Sequence, residues 1–147
     1  MELKVSGKWW ATLYSGGEIK EQRHGKNVIT TVGLQALVDH LASAAAAASV
    51  WDFKYIAIGS NNAAEAASQT ALGTETGRAT STVSTATSIY RLTSTFASGI
   101  GTGNVYEYGV FSTITTAAGT MFSRDVEGLI TKGANDELVV TTEITIS

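Results

Sequence analysis

The segment 138–146 alternates with a period of two. Leu138, Val140, Ile144 and Ile146 share one parity with Thr142, while Thr141, Glu143 and Thr145 take the other. Successive side chains of an extended chain point to opposite faces, so this pattern buries its apolar set as a strand and scatters it as a helix. The alternation recurs upstream. Within 89–96, Tyr90, Leu92 and Phe96 share a face, opposed by Arg91, Thr93 and Thr95. Further extended stretches are read at 3–13, 78–84, 105–111 and 121–126, with a stub at Ile130-Thr131. A polar strand at 19–23 follows Ser15-Gly16-Gly17 and pairs with the first as a hairpin. Strands at roughly ten-residue spacing, separated by Gly, Asn and Ser turns without βαβ alternation, predict an antiparallel β-sandwich or jelly-roll-like barrel.

One helix interrupts this pattern. Leu34, Leu37, Val38 and Leu41 fall at i, i+3, i+4 and i+7, which predicts a helix over about 32–48, with Thr30 or Thr31 as its N-cap. It is expected to lie across the sheet or to plug one end. Tyr55-Ile56-Ala57-Ile58 then forms a strand, closed by the turn cluster Gly59-Ser60-Asn61-Asn62. The small, polar stretch from Asn61 to Gly77 is expected to be a long surface loop.

The 147 residues predict one domain, 1–147, in which 1–23 is a candidate partner-contacting arm or hairpin. The chain is rich in Ala and Thr and has few large apolar side chains, so extra burial in an oligomer is expected. With net charge −3 and 16% charged residues there is no basic stripe for phosphates, which argues against nucleic acid. Without cysteine, disulfides and thiolate metal sites are excluded. The N-terminus lacks a signal-peptide core, and no apolar run reaches the roughly 20 residues a spanning helix needs, so a soluble chain made in the cytoplasm is expected.

No residue set demands a reaction. His24 and His40 lack an evident partner; Asp39 and His40 are adjacent on the helix and lie about 100° apart around it. Gly99-Ile100-Gly101-Thr102-Gly103 precedes a strand instead of a helix, so it reads as a hairpin loop and not as a phosphate cradle. The carboxylates at Asp125/Glu127 and Asp136/Glu137 are expected at surface turns and lack the spacing of a calcium loop. No catalytic, cofactor-binding or metal-binding residue is therefore assigned. Glu107, flanked by Tyr106 and Tyr108, is the exception of interest. If buried it must be paired, with Arg78, Arg91 or Arg124 as partner, and it is predicted to be a structural acid. Trp9 and Trp10 are neighbours, so one enters the core and the other faces outward. The predicted protein interface is Trp9, Trp10 and Leu13, with Asn61 and Asn62 of the loop second.

Four segments in series carry a family likeness. Asn27-Val28-Ile29-Thr30-Thr31-Val32-Gly33-Leu34-Gln35-Ala36-Leu37 resembles the opening of small structural proteins of tailed bacteriophages. Tyr55-Ile56-Ala57-Ile58-Gly59-Ser60 is similar to their first strand after the helix, Tyr106-Glu107-Tyr108-Gly109-Val110-Phe111 to their glutamate-glycine segment, and 138–146 to their closing strand. The resemblance covers most of 27–146 and leaves Met1–Arg23 outside. It implies a non-enzymatic virion component. The leading form is a capsid decoration (cement) protein, a homo-oligomer with a trimer favoured, seated on the major capsid protein. The alternative is a tail, baseplate or fibre module that contacts tail proteins or a host surface carbohydrate. Family membership brings no catalytic residues.

Overall fold

A computed structural model describes residues 2–42 and 52–147. Its elements in chain order are β1 (Val5–Ser15), β2 (Glu18–Ile29), α1 (Thr31–Ala42), β3 (Tyr55–Gly59), β4 (Glu75–Thr80), β5 (Thr82–Ala86), β6 (Ile89–Phe96), β7 (Gly103–Phe111), β8 (Met121–Lys132) and β9 (Glu137–Ile146). The nine strands form one antiparallel sheet in the order β4-β3-β7-β8-β2-β1-β9-β6-β5. β4 and β5 stand at opposite ends of that order, yet only Ser81 separates them in the chain. The chain therefore steps directly from one sheet edge to the other, and the sheet curls into a nearly closed barrel. Ser81 Oγ and Ser94 Oγ meet at 2.7 Å where β4 hands over to β5, which fixes that closure. Among the described residues the fold is thus mainly β and barrel-like with one helix, as the alternation predicts.

The interior is filled by the expected parities. Trp9, Ala11 and Leu13 enter from β1, Leu92 and Phe96 from β6, and Leu138, Val140 and Ile144 from β9. β7 departs from strict alternation. Val105 pairs with Ile130 and Glu107 with Val126, so the register slips between them. That irregularity lets Val105, Tyr108 and Val110 all reach the core.

Three expectations change. Residues 1–23 are not a free arm: β1 lies between β2 and β9 and pairs along its length with both, because its alternate apolar residues are core. The hairpin alternative is the one that forms, and β2 continues to Ile29. The surface loop ends earlier than Gly77, since β4 begins at Glu75. The helix is described for Thr31–Ala42, and the rest of the predicted span, 43–48, lies outside the described residues. Thr30 is the cap, its Oγ1 accepting from Gly33 N at 2.9 Å.

The helix also sits differently on the sheet. Gly33 and Ala36 are its buried residues, Leu37 is half-buried against the core, and Leu34, Val38 and Leu41 are exposed. Gly33 explains this rotation. A Cβ there would lie 2.6 Å from Phe122 O, so only glycine lets the first turn approach β8 this closely. The aliphatic stripe therefore turns largely to solvent instead of into the barrel.

Candidate functional site

The outer face of β7 carries a buried ion pair. Glu107 points away from the core under the segment 60–74, and Arg124 of β8 lies beside it; both are essentially without exposure. Glu107 Oε2 accepts from Arg124 Nε at 3.0 Å, Arg124 Nη2 at 2.8 Å and Gly73 N at 2.8 Å. Its Oε1 accepts from Thr74 N at 2.7 Å and Asn61 N at 3.3 Å. Arg124 Nη1 continues outward to Ala63 O at 3.0 Å and Gln69 Oε1 at 3.1 Å. One carboxylate and one guanidinium thus bind both ends and the middle of the loop. Gly59 is required beneath it, because a side chain there would collide with Thr74 O and the Glu107 carboxylate. With five donors converging on it, the Glu107 carboxylate is committed to holding the loop. Glu107 is thus buried and paired, and Arg124 is its partner among the three arginines named.

A second clamp repeats the device. Arg78 of β4 donates from Nε and Nη2 to Glu75 at 2.8 Å each, and from Nη1 to Thr113 O at 2.8 Å and Ala118 O at 2.9 Å. Its guanidinium lies 3.8 Å from the Phe111 ring centroid. The 112–120 loop is therefore pinned to the barrel edge.

Inside the barrel lies a polar seam. β2 and β8 each run 12 residues but pair only at Val28–Arg124 and Ile29–Ser123. Beyond that point side chains bridge the gap. Arg23 Nη2 donates to Leu129 O at 3.1 Å, and Asn27 Nδ2 donates to Ser123 Oγ at 3.2 Å and Thr142 Oγ1 at 2.8 Å. The Trp9 indole stacks on Tyr108 with centroids 4.4 Å apart. Asp125 is buried here, which corrects its expected place at a surface turn. Burial, reinforced by the charges of Glu65 and Glu127, pushes its carboxyl well above the usual carboxylate range, with Arg124 opposing. Burial likewise pushes the Tyr108 phenol up.

Unfolded Asp125 ionises at the ordinary carboxylate value of about 3.8, whereas the folded group stays protonated to higher pH. Its protonated form favours the folded state, and that stabilisation is lost as pH rises from the ordinary value toward the raised one. Asp125→Asn is expected to remove this dependence. In urea titrations the native chain should fall behind the variant by about 1.4 kcal/mol for every pH unit across that window. A native chain that gains on the variant with rising pH would mean that Asp125 is ionised and paired.

The predicted interface residues separate. Trp9 and Leu13 are core, at 1% and 0% exposure, and cannot touch a partner from the outer surface. Trp10 is the outward ring, at 39%. A signal for this was present in the sequence, since Trp9 shares parity with Ala11 and Leu13, and Trp10 with Lys8 and Thr12. Asn61 is half-buried and its Oδ1 accepts from Ala63 N at 2.8 Å, whereas Asn62 is exposed. His24 is exposed on the outer face of β2. His40 lines an apolar cavity of about 310 Å³ between α1 and the barrel end, with Leu37, Phe53, Tyr90 and Phe122. Gly99–Gly103 connects β6 to β7, as expected of a hairpin loop. Among the described residues no group of three or more His, Asp or Glu is arranged to hold a metal ion, and no helix is long and apolar enough to cross a membrane. Compared with known proteins, the chain matches no family model, no curated protein and no solved structure.

Proposed function

We propose that this chain is a non-enzymatic structural component of a tailed-bacteriophage particle, a decoration protein that oligomerises on the head and clamps the major capsid protein. The observation that carries the reading is the row of aliphatic side chains left outside the barrel on α1. Leu34, Val38 and Leu41 stand at 41%, 57% and 80% exposure, at helical spacing that keeps them on one face. A contiguous apolar row on the surface suits a protein partner. The two loop clamps support the same reading, because a barrel whose loops are pinned by buried ion pairs presents a stiff contact surface. The net charge of −3 suits protein contacts better than DNA. The resemblance supplies the particle and the preference for three copies. The action is mechanical: burial between neighbouring subunits opposes capsid expansion.

Copy number per virion, measured by quantitative mass spectrometry against the major capsid protein, tests the reading. Near-stoichiometric abundance supports the head. A few copies per particle would move the chain to the tail or fibre, with glycan binding as its task, and absence from particles would refute both. At the level of the surface, combining Leu34→Ser, Val38→Ser and Leu41→Ser should change the stability of the isolated chain by at most about 0.5 kcal/mol per site. The same variant should lose assembly in light scattering. Unchanged assembly would show that this row is not the contact.

A further inference from the structure

We propose that the barrel interior binds one water molecule, held by Trp9, Asn27, Tyr108 and Asp125 in a small cavity beside the seam where β2 and β8 part. Trp9 Nε1, Asn27 Oδ1, Tyr108 OH and Asp125 Oδ1 are all buried and have no hydrogen-bond partner among the described residues. Leaving such a group unpaired forfeits its hydration without return, and four together would be a heavy loss for a domain of this size. The four residues come from β1, β2, β7 and β8, and all line one cavity, together with Ser123 and Thr142.

The chemistry of the set selects the ligand. The indole offers only an N–H, the amide and acid oxygens accept, and the phenol can do either. A cation would satisfy the oxygens but is opposed by the indole N–H; an anion would satisfy the indole but is opposed by the oxygens. Water donates twice and accepts twice, so it alone serves a mixed set. The size agrees. The room for a water's centre is about 10 Å³, close to what a single molecule needs. The place agrees as well. β2 and β8 share only two paired positions, so a bridging molecule substitutes there for the ladder the strands do not form.

The test uses the unmodified chain. A crystal structure at about 1.5 Å or better is expected to contain one fully occupied peak in this cavity, about 2.7–3.2 Å from at least three of the four atoms. In solution the Trp9 indole proton should give a cross-peak to a long-lived water in NMR. A dry cavity, or the four atoms bonded directly to neighbouring side chains such as Glu127, would overturn the proposal. An ion at the same place, identified by anomalous scattering or by bond lengths, would overturn it equally.

Discussion

Arg124→Ala is expected to lower the unfolding free energy by about 3–5 kcal/mol, because it leaves the Glu107 carboxylate buried without its counter-charge. The loss reaches beyond the pair. Arg124 also holds Ala63 O and Gln69 Oε1, so the middle of the 60–74 loop is released, and protease cleavage within that loop should accelerate with the fall in stability. A simultaneous Glu107→Leu, Arg124→Leu replacement separates two accounts. Swapping a buried ion pair for apolar side chains is often neutral. Here it would strand the N–H groups of Asn61, Gly73 and Thr74, which converge on Glu107. The double variant should therefore remain well below the native chain in urea midpoint. A double variant of native stability would mean that these loop contacts contribute nothing and that the ion pair is merely tolerated.

The same site shows what local sequence can and cannot convey. The parity of β9 and β6 is written in nearest-neighbour alternation, and Leu138, Val140, Ile144, Leu92 and Phe96 are buried as it predicts, whereas Tyr90 is half-buried and Ile146, at the strand end, is exposed. That Glu107 needs an arginine follows from charge and burial alone. Which arginine does not, because Arg78, Arg91 and Arg124 differ only in strand register, and register is a property of pairs of distant segments. Arg91 turned out to pair with Glu143 on the outer face of the sheet, and Arg78 with Glu75. The polar seam was illegible for the same reason. Asp125 sits in a short run that reads equally well as a strand end or a turn, and its interior place comes from its register opposite Tyr108 of β7. The exposed aliphatic row on α1 departs from its expected burial for a different reason. Its spacing identifies a helix correctly, but the face that packs was decided by the close approach at Gly33 instead of by the bulkiest residues.

The adjacent tryptophans give the sharpest contrast between fold and contact. Trp9→Ala removes a fully buried ring stacked on Tyr108 and opens a cavity among Ile56, Val110 and Val140, so it is expected to cost about 3–5 kcal/mol. Trp10→Ala removes a ring on the outer face, where its cross-strand neighbours are His24 and Thr141. It should alter the isolated chain by about 0.5 kcal/mol or less. The order reverses for assembly. Exposed tryptophan is enriched among residues that dominate protein interfaces, so under the proposed oligomeric function Trp10→Ala is expected to weaken self-association at least tenfold while its urea midpoint stays near native. Paired measurements of urea midpoint and light-scattering mass on the two single variants decide the matter. If Trp10→Ala leaves self-association unchanged, the β1 face is not an interface, and the row on α1 remains the proposed contact. If Trp9→Ala costs under about 1 kcal/mol, the ring is not packed as the stack with Tyr108 requires. A double variant cannot make either distinction, because the loss of Trp9 from the core would hide whatever Trp10 contributes outside it.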